Sequence, residues 1–206
     1  MTARVQVIGV AKRWADGSGL LPTSFDAGAG QIVVVGGRSG SGKSTLLAIL
    51  AGLCEPDEGS AVLDGVERDG AIPSWRDLTF VPQTFALASE LTVLENVLDV
   101  GSRLEPREVD QLLVDLGLRH LAGSPPDEVS MGERQRCAVA RALVTRPRVV
   151  LADEPTSHQD SLHAEAVLRC LRAAAENGTT VVVATHDPDV VRSASVVVDL
   201  ESAHLV

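Results

Sequence analysis

Short apolar runs alternate with helical patterns along much of this chain. Each run is rich in valine, and such runs are typical of strands that are buried on both faces of a parallel sheet. The runs are 32–35, 149–152, 181–184 and 196–200. Helical spacing of leucine and alanine occupies 43–53 and 163–175, and the second stretch leads into an Asn-Gly pair that favours a helix C-terminus. This alternation predicts an α/β fold with a mostly parallel sheet.

The middle and the beginning of the chain follow other patterns. Residues 93–100 and 106–116 have helical spacing, and no strong strand pattern lies between them, so we predict a helical insertion. The first thirty residues and 61–69 are β-like and rich in turn residues, which predicts a small antiparallel β flank. We therefore expect one domain over 1–206. Its expected parts are a core with its β flank at 1–83 and 146–206 and a helical subdomain at about 84–145.

Composition narrows the class of protein. The 206 residues are 45% hydrophobic and only 2% aromatic, so aliphatic side chains must build the core. The chain has 18 Lys and Arg against 28 Asp and Glu, and a net charge of −10 argues against nucleic acid as a partner. No apolar run approaches the roughly 18 residues that a membrane-spanning helix needs, so we expect no direct insertion into a membrane. The N-terminus lacks the apolar segment of a secretory signal and the three cysteines form no CxxC pair, so we expect a cytoplasmic protein.

A glycine-rich segment follows the first valine-rich run and opens a predicted helix. It matches the pattern GxxxxGK[ST], in which backbone N–H groups at a helix N-terminus converge on phosphate oxygens. Lys43 adds a cation, and the hydroxyl of Ser44 is suited to Mg²⁺. The residues of this phosphate loop are Gly37, Arg38, Ser39, Gly40, Ser41, Gly42, Lys43, Ser44 and Thr45. The segment therefore predicts binding of ATP or GTP.

Two adjacent carboxylates, Asp153 and Glu154, follow the apolar run 149–152. In a protein with a phosphate loop, such a strand delivers the first acid to the Mg²⁺ shell and leaves the second to polarise a water molecule. Two acids after a strand also suit a helix N-cap with a solvated neighbour. The phosphate loop earlier in the chain favours the first interpretation.

The order of the motifs resembles one family, the ATP-binding subunits of ABC transporters, over essentially the whole chain. After the phosphate loop come Val-Pro-Gln, Val-Ser-Met-Gly-Glu-Arg-Gln-Arg, Asp-Glu-Pro-Thr-Ser and Thr-His-Asp. These segments occupy 81–83, 129–136, 153–157 and 185–187. Five elements in the family's order make the resemblance specific. It implies a P-loop NTPase of the ABC type that uses ATP and Mg²⁺.

The resemblance also implies roles for single residues. Gln83 would sense Mg²⁺ and the γ-phosphate, and it would join Ser44 and Asp153 as a metal ligand. His186 would contact the γ-phosphate and help to hold the attacking water. The catalytic residues that the family pattern implies are Glu154, His186, Gln83 and Lys43.

The family pattern further implies a second ABC ATPase subunit. In these proteins a signature segment at the start of a helix grips the ATP that is held by the other subunit, which gives a head-to-tail dimer. The corresponding residues here are Ser130, Met131, Gly132 and Glu133. Ser157 and Asp160 correspond to the loop that crosses the dimer, in which His158 and Gln159 are polar where the family packs apolar residues.

Met131 departs from the family, whose signature segment usually reads Leu-Ser-Gly-Gly-Gln. A Cβ and a long side chain at a glycine position could restrict the backbone or crowd the phosphate. The flexible thioether could also turn aside while the N–H still faces the phosphate. The first outcome predicts an ATPase-impaired half of a heterodimeric pair, and the second permits a homodimer.

Trp14 stands where the family carries an aromatic residue, usually Tyr, that stacks on adenine. The physical need is a flat π-face, which Trp also supplies. The alternative is a core or surface Trp in the β flank, because the distance to the phosphate loop varies within the family. The preference for adenine over guanine thus depends mainly on the resemblance.

The expected function is the ATP-hydrolysing subunit of an ABC transporter, peripheral on the inner face of the cell membrane. It would dock on a separate transmembrane permease through the helical insertion, at about 84–122. The segment 152–156 most resembles exporters and lipoprotein-release or cell-division systems rather than importers. Two alternatives remain: a soluble ABC ATPase without a transport role, and a small-molecule kinase, which would need a lid and an acceptor site instead.

Overall fold

The fold consists of two β-sheets and six α-helices, seen in a computed structural model that describes residues 3–67, 74, 76–84 and 87–200. The strands are β1 (Val5–Arg13), β2 (Gly19–Ala27), β3 (Ile32–Gly37), β4 (Glu58–Leu63), β5 (Val66–Glu67), β6 (Leu78–Val81), β7 (Val149–Asp153), β8 (Thr180–Ala184) and β9 (Val196–Leu200). The helices are α1 (Lys43–Leu50), α2 (Val93–Leu98), α3 (Pro106–Asp115), α4 (Met131–Leu143), α5 (Ser161–Glu176) and α6 (Pro188–Val191). Short 3₁₀ turns cover Arg119–Leu121 and Pro126–Glu128. None of the helices in these ranges is long and apolar enough to cross a membrane.

The larger sheet is parallel and has the strand order β6-β7-β8-β3-β9. Every residue of β7 and β8 is buried, as the unbroken apolar runs predicted. Alternate residues of β3 serve two cores: Val33 and Val35 pack with α1 and the smaller sheet, and Val34 packs with the helices on the opposite face. The parallel core and its valine-rich strands are therefore confirmed.

The smaller sheet is antiparallel, with the order β2-β1-β4-β5. It confirms the predicted flank, although part of the predicted segment 61–69 lies outside the described residues. Helices α2, α3 and α4 and the two 3₁₀ turns follow β6 in the chain and precede β7. This arrangement is the predicted α/β class with an antiparallel flank and a helical insertion.

Two local features differ from the sequence prediction. Helix α1 ends at Leu50, before the predicted limit at residue 53, because Gly52 adopts a φ of +73°. The N–H groups of Gly52 and Leu53 then return to the carbonyls of Ile49 and Ala48, which is a glycine-based helix end. Strand β6 was not predicted, since its four residues are too few to show a period; pairing with β7 makes it a strand.

Candidate nucleotide site

The register of the parallel sheet brings the predicted phosphate and acid motifs to one edge. Ala184 of β8 pairs with Val35 of β3 on one side and with Asp153 of β7 on the other. The phosphate loop begins at Gly37, two residues after Val35, and His186 follows two residues after Ala184. Three segments that are far apart in the chain therefore end in one row, at the carboxyl ends of adjacent strands, where open α/β sheets bind their ligands.

Glycines shape the phosphate loop. Gly37 has a φ of +138°, and a Cβ there would lie 2.6 Å from both the Leu200 carbonyl oxygen and the Ser41 hydroxyl oxygen. Gly42 has a φ of +94° and caps α1 without a side-chain hydrogen bond, so it leaves the first N–H groups of the helix to a ligand. The Ser41 hydroxyl is fully buried and has no hydrogen-bond partner among the described residues. The loop therefore has the backbone of an anion cradle.

Lys43 lies folded along this loop. Its Nζ donates hydrogen bonds to the carbonyl oxygens of Gly37, at 2.8 Å, and Arg38, at 3.1 Å. A cation held by backbone carbonyls at the mouth of a phosphate cradle exchanges those bonds readily for charge-assisted bonds to phosphate oxygens. The ammonium group is thus placed for an anionic ligand before one binds.

Asp153 and Ser44 form the part of the site that suits a metal ion. Asp153 is 5% exposed, and its burial raises the pKa of the carboxyl group, while a hydrogen bond with the Ser44 hydroxyl opposes that shift. A carboxylate and a hydroxyl are the hard oxygen ligands that Mg²⁺ uses together with substrate phosphates. Among the described residues no group of three or more His, Cys, Asp or Glu side chains could hold a metal. The Ser44 hydroxyl and the Asp153 carboxylate fit Mg²⁺ that a bound nucleotide would also coordinate.

Glu154 has a strained backbone and two hydrogen-bonded carboxylate oxygens. Its φ is +48°, unusual for a residue other than glycine, and its N–H donates to the Ala184 carbonyl at 2.9 Å. Thr185 donates from Oγ1 to Oε2 at 2.8 Å, and Nδ1 of His186 lies 2.8 Å from Oε1. The Glu154 side chain is 14% exposed and that of His186 is 84% exposed. The carboxylate thus has one buried partner, Thr185, and one exposed partner, His186.

Two threonines support this pair and were not singled out from the sequence. Thr185 is fully buried, and its hydroxyl also accepts a hydrogen bond from the Asp187 N–H at 3.1 Å. Thr156 donates to the Asp187 carboxylate at 3.0 Å, which joins the loop after β7 to the loop after β8. Their position inside the Asp-Glu-Pro-Thr-Ser and Thr-His-Asp segments was the available signal. The Thr185 hydroxyl holds the Glu154 carboxylate, and the Thr156 hydroxyl links the two loops that carry Glu154 and His186.

Trp14 lies on the hairpin between β1 and β2, next to the phosphate loop. Arg13, the residue before Trp14, pairs with Gly19 of β2. The backbone of Gly19 in turn lies against Gly42 of the phosphate loop, because a Cβ on Gly42 would be only 2.8 Å from the Gly19 carbonyl oxygen. The indole is 45% exposed. The hairpin that carries Trp14 thus reaches the phosphate loop at Gly19, and Trp14 lies on the surface of the flank.

Gln83 and the predicted dimer-crossing residues Ser157 and Asp160 lie on two further loops. Gln83 is exposed and follows two residues after the end of β6, at the same edge of the sheet. Asp160 caps α5 by accepting from the His163 N–H, and both of its oxygens lie 2.9 Å from Nδ1 of His163. The Ser157 hydroxyl is buried, and no residue in the described part of the chain forms a hydrogen bond with it.

The signature segment begins a helix in another part of the molecule. Helix α4 packs against α2, α5 and β6, whereas α1 packs against β2, β3, β4, β7 and β8. Ser130 caps α4 through reciprocal hydrogen bonds with Glu133, and its N–H and hydroxyl both donate to the Glu133 carboxylate at 2.7 Å. These bonds lower the pKa of Glu133, so the carboxylate is charged. The segment is an exposed helix N-terminus that is separate from the phosphate loop of its own chain.

Met131 and Gly132 have opposite surroundings within this segment. Met131 is the first residue of α4, is 53% exposed and does not have a positive φ. Gly132 is buried, and a Cβ there would lie 2.8 Å from the His158 carbonyl oxygen. Position 132 therefore requires glycine, while position 131 has an ordinary backbone and an open side.

Comparison with known proteins supports the same identification. A family model described as ABC transporter matches residues 20–157. The spermidine/putrescine import ATP-binding protein PotA of Chromobacterium violaceum is 38% identical over 192 residues, covering 90% of this chain and 53% of PotA. The macrolide export ATP-binding/permease protein MacB of Paracoccus denitrificans is 39% identical over 218 residues, covering 98% of this chain and 33% of MacB. This chain thus spans about half of PotA and a third of MacB.

A solved structure extends the match to three dimensions. The dimeric post-hydrolysis state of the ATP-binding cassette MJ0796, bound to ADP and Pi, superposes with a TM-score of 0.82 at 32% identity. The match covers 97% of each chain. The resemblance seen in the motifs therefore extends to the whole fold.

Proposed function

This chain belongs to the ABC transporter family as an ATP-binding cassette, and we propose that it hydrolyses ATP to drive a separate transmembrane permease. The observation that carries the proposal is the row of Val35, Ala184 and Asp153, which places the phosphate loop, the acidic pair and His186 at one edge. The permease would hold the cassette at the inner face of the cell membrane. The proposed division of labour follows the expected parts: a nucleotide core at 1–83 and 146–206 and a helical subdomain at about 84–145.

In the proposed mechanism the phosphate loop binds the triphosphate of ATP. N–H groups at the start of α1 and the Lys43 ammonium surround the phosphates, and Trp14 offers its indole to the base. Ser44 and Asp153 would hold Mg²⁺, with Gln83 as the third protein ligand. Bound Mg²⁺ would supply positive charge that neutralises the phosphate oxygens.

Glu154 orients and deprotonates the attacking water in this proposal. The Thr185 hydroxyl fixes one carboxylate oxygen of Glu154. Once the nucleotide is bound, His186 would turn from the other carboxylate oxygen to the γ-phosphate, and that oxygen would be left for the water. A carboxylate that is already fixed loses little entropy on the way to the transition state. Lys43, the loop amides and His186 then stabilise the charge that develops on the phosphate oxygens.

The signature segment acts on a second cassette in this proposal. It is an exposed helix N-terminus away from its own phosphate loop, and the capping box does not use the N–H groups of Met131 and Gly132, which would be available to the ATP of a partner subunit. The dimeric MJ0796 structures support such an assembly. Because Met131 takes an ordinary helical backbone, we propose that a homodimer is competent. Closure of the two cassettes would move the helical subdomains and the permease bound to them.

The direction of transport follows from the permease in this proposal. Relatives whose names denote import and export match this chain at nearly equal identity, 38% for PotA and 39% for MacB. The segment 152–156 supports an exporter or a lipoprotein-release or cell-division type of partner. Substrate contacts would lie entirely in the permease.

Two experiments test the proposal. The first measures phosphate release from MgATP by the purified chain, which a small-molecule kinase would instead transfer to an added acceptor. The second places a photo-crosslinking residue at Leu98 in α2, which is 38% exposed, and at Val197 in β9, which is 55% exposed, in cells that express the chain. We expect Leu98 to capture a polytopic membrane protein that stimulates phosphate release on co-expression, and Val197 not to do so. Capture of soluble proteins alone from Leu98 would contradict the transport role.

A further inference from the structure

The hairpin that carries Trp14 is held in one shape by a set of short hydrogen bonds. The Trp14 N–H donates to the Ser18 carbonyl at 2.8 Å, and the Gly17 N–H returns to the Trp14 carbonyl at 3.0 Å. The Asp16 carboxylate accepts from both the N–H and the hydroxyl of Ser18, at 3.0 and 2.6 Å. These bonds order the backbone at the indole before any ligand arrives.

Lys12 lies against one face of the indole. Its Nζ is 5.4 Å from the centre of the Trp14 ring, within the range of a cation–π contact. The Lys12 side chain is only 17% exposed, whereas Trp14 remains 45% exposed. One face of the ring is thus covered by a cation while much of the indole stays open.

Asp57 holds both the cation and the backbone that leads into the indole. Its Oδ1 accepts from Nζ of Lys12 at 2.7 Å, and its Oδ2 accepts from the Arg13 N–H at 2.8 Å. The Asp57 N–H in turn donates to the Ala11 carbonyl at 2.9 Å. The hydrogen bond between the two side chains raises the pKa of Lys12 and lowers that of Asp57, so both groups stay charged at neutral pH. A single carboxylate therefore fixes Lys12 above the ring and the strand residue next to Trp14.

We propose, on the basis of the ATP-binding function above, that Lys12 held by Asp57 is a positioning residue for the nucleotide base. The ammonium keeps the Trp14 ring in one orientation and draws its π density to the covered face, so the opposite face stacks on the purine of the bound nucleotide. Because the ring is ordered beforehand, less side-chain entropy is lost on binding. Lys12 contributes to recognition of the base and leaves recognition of the phosphates to the phosphate loop.

The test separates base from phosphate by using two ligands. Dissociation constants for MgATP and for magnesium tripolyphosphate, which lacks the base, are measured by calorimetry for the wild type, Lys12→Met and Lys12→Arg. Arg13→Met is the matched control, because it removes the same charge from the adjacent, exposed residue of the same strand. A Trp75→Phe background leaves Trp14 as the single tryptophan in a chain without tyrosine, so indole fluorescence reports the stacking directly.

We expect Lys12→Met to raise the Kd for MgATP about threefold to tenfold and to leave the Kd for tripolyphosphate within about twofold. Lys12→Arg should restore MgATP binding, and Arg13→Met should change neither ligand by more than about twofold. MgATP should quench Trp14 in the wild type and less in Lys12→Met. An equal loss for both ligands, or no loss, would overturn the role of Lys12. Failure of the wild type to bind MgATP at all would instead contradict the proposed function.

Discussion

The phosphate edge and the signature segment differ in how much of their surroundings this chain supplies. At the phosphate edge, Lys43, Asp153 and Glu154 each have a partner within the chain, and paired strands set their spacing. At the signature segment, Ser130 and Met131 are exposed at a helix N-terminus, and the hydrogen bonds of Ser130 go to Glu133 of the same helix. The first region is built by the fold of one chain. The second is exposed in this chain, and under the proposed function a second subunit would cover it, so changes in the two regions should have different readouts.

The largest expected effect lies in the phosphate loop. Lys43→Ala removes the cation that the loop carbonyls hold above the cradle, and we expect binding of MgATP to weaken at least about 100-fold. Calorimetry with MgATP measures the loss. Arg192→Ala, which removes a surface cation paired with Asp189, is the control and should bind normally. Retention of wild-type affinity by Lys43→Ala would contradict the placement of the triphosphate.

A change at Glu154 should affect turnover while leaving binding intact. Glu154→Gln keeps the shape of the side chain and removes the base, so we expect phosphate release to slow at least about 100-fold with little change in the Kd for MgATP. Single-turnover phosphate release together with calorimetry separates the two quantities. Glu58→Gln, an exposed carboxylate of β4, should behave as the wild type. Near-normal turnover by Glu154→Gln would exclude its role as the base.

The role of the signature segment in dimer formation is tested by changing two adjacent positions, 131 and 132, in a Glu154→Gln background. Light-scattering mass with and without MgATP should show a dimer for Glu154→Gln alone, and adding Met131→Gly should change the dimer Kd less than about tenfold, because Met131 has an ordinary backbone. Adding Gly132→Ala should destabilise the fold by about 1–3 kcal/mol, since its Cβ meets the His158 carbonyl. A dimer that forms only with Met131→Gly would identify Met131 as the obstacle and point to an unequal partner.

The smallest expected effect concerns the stability of the free chain. Burial raises the pKa of Asp153, so at neutral pH the folded state carries a charge that the unfolded state holds more easily. The folded state is therefore most stable with respect to this group when Asp153 is protonated, below the ordinary Asp pKa. The free energy of unfolding falls as the pH rises through the raised pKa of Asp153. We therefore expect Asp153→Asn to raise Tm by a few degrees at pH 7 and to have no effect near pH 3, in thermal melts without nucleotide. A lower Tm at pH 7 would show that the charge is stabilised in the fold.

Much of the fold followed from local patterns. The valine-rich runs predicted β3, β7, β8 and β9, because a strand that is buried on both faces is apolar at consecutive positions and is therefore easy to recognise in the sequence. The phosphate loop was recognisable as a contiguous motif in which the glycines, the lysine and the hydroxyl must stand next to each other. The order of the five motifs was sufficient for the family, which the comparisons confirm.

Other features depended on contacts between distant residues. Strand β6 exists because it pairs with β7, about seventy residues later in the chain, and this pairing brings Gln83 to the same edge of the sheet as the phosphate loop. The Gly132 requirement comes from the His158 carbonyl, and the support of Trp14 comes from Lys12 and Asp57 on different strands and turns. The sequence alone did not determine the backbone conformation of Met131, and the structure shows that it is the first residue of α4.

The sequence by itself determined which chemical groups this protein carries and the order in which they occur, because motifs and periods are properties of neighbouring residues. The tertiary structure decided which groups meet. Strand register set Ala184 between Asp153 and Val35, and hydrogen bonds gave Glu154 its two partners. The physical reason is that long-range pairing is selected by the packing of the whole core, and no short stretch of sequence contains that information.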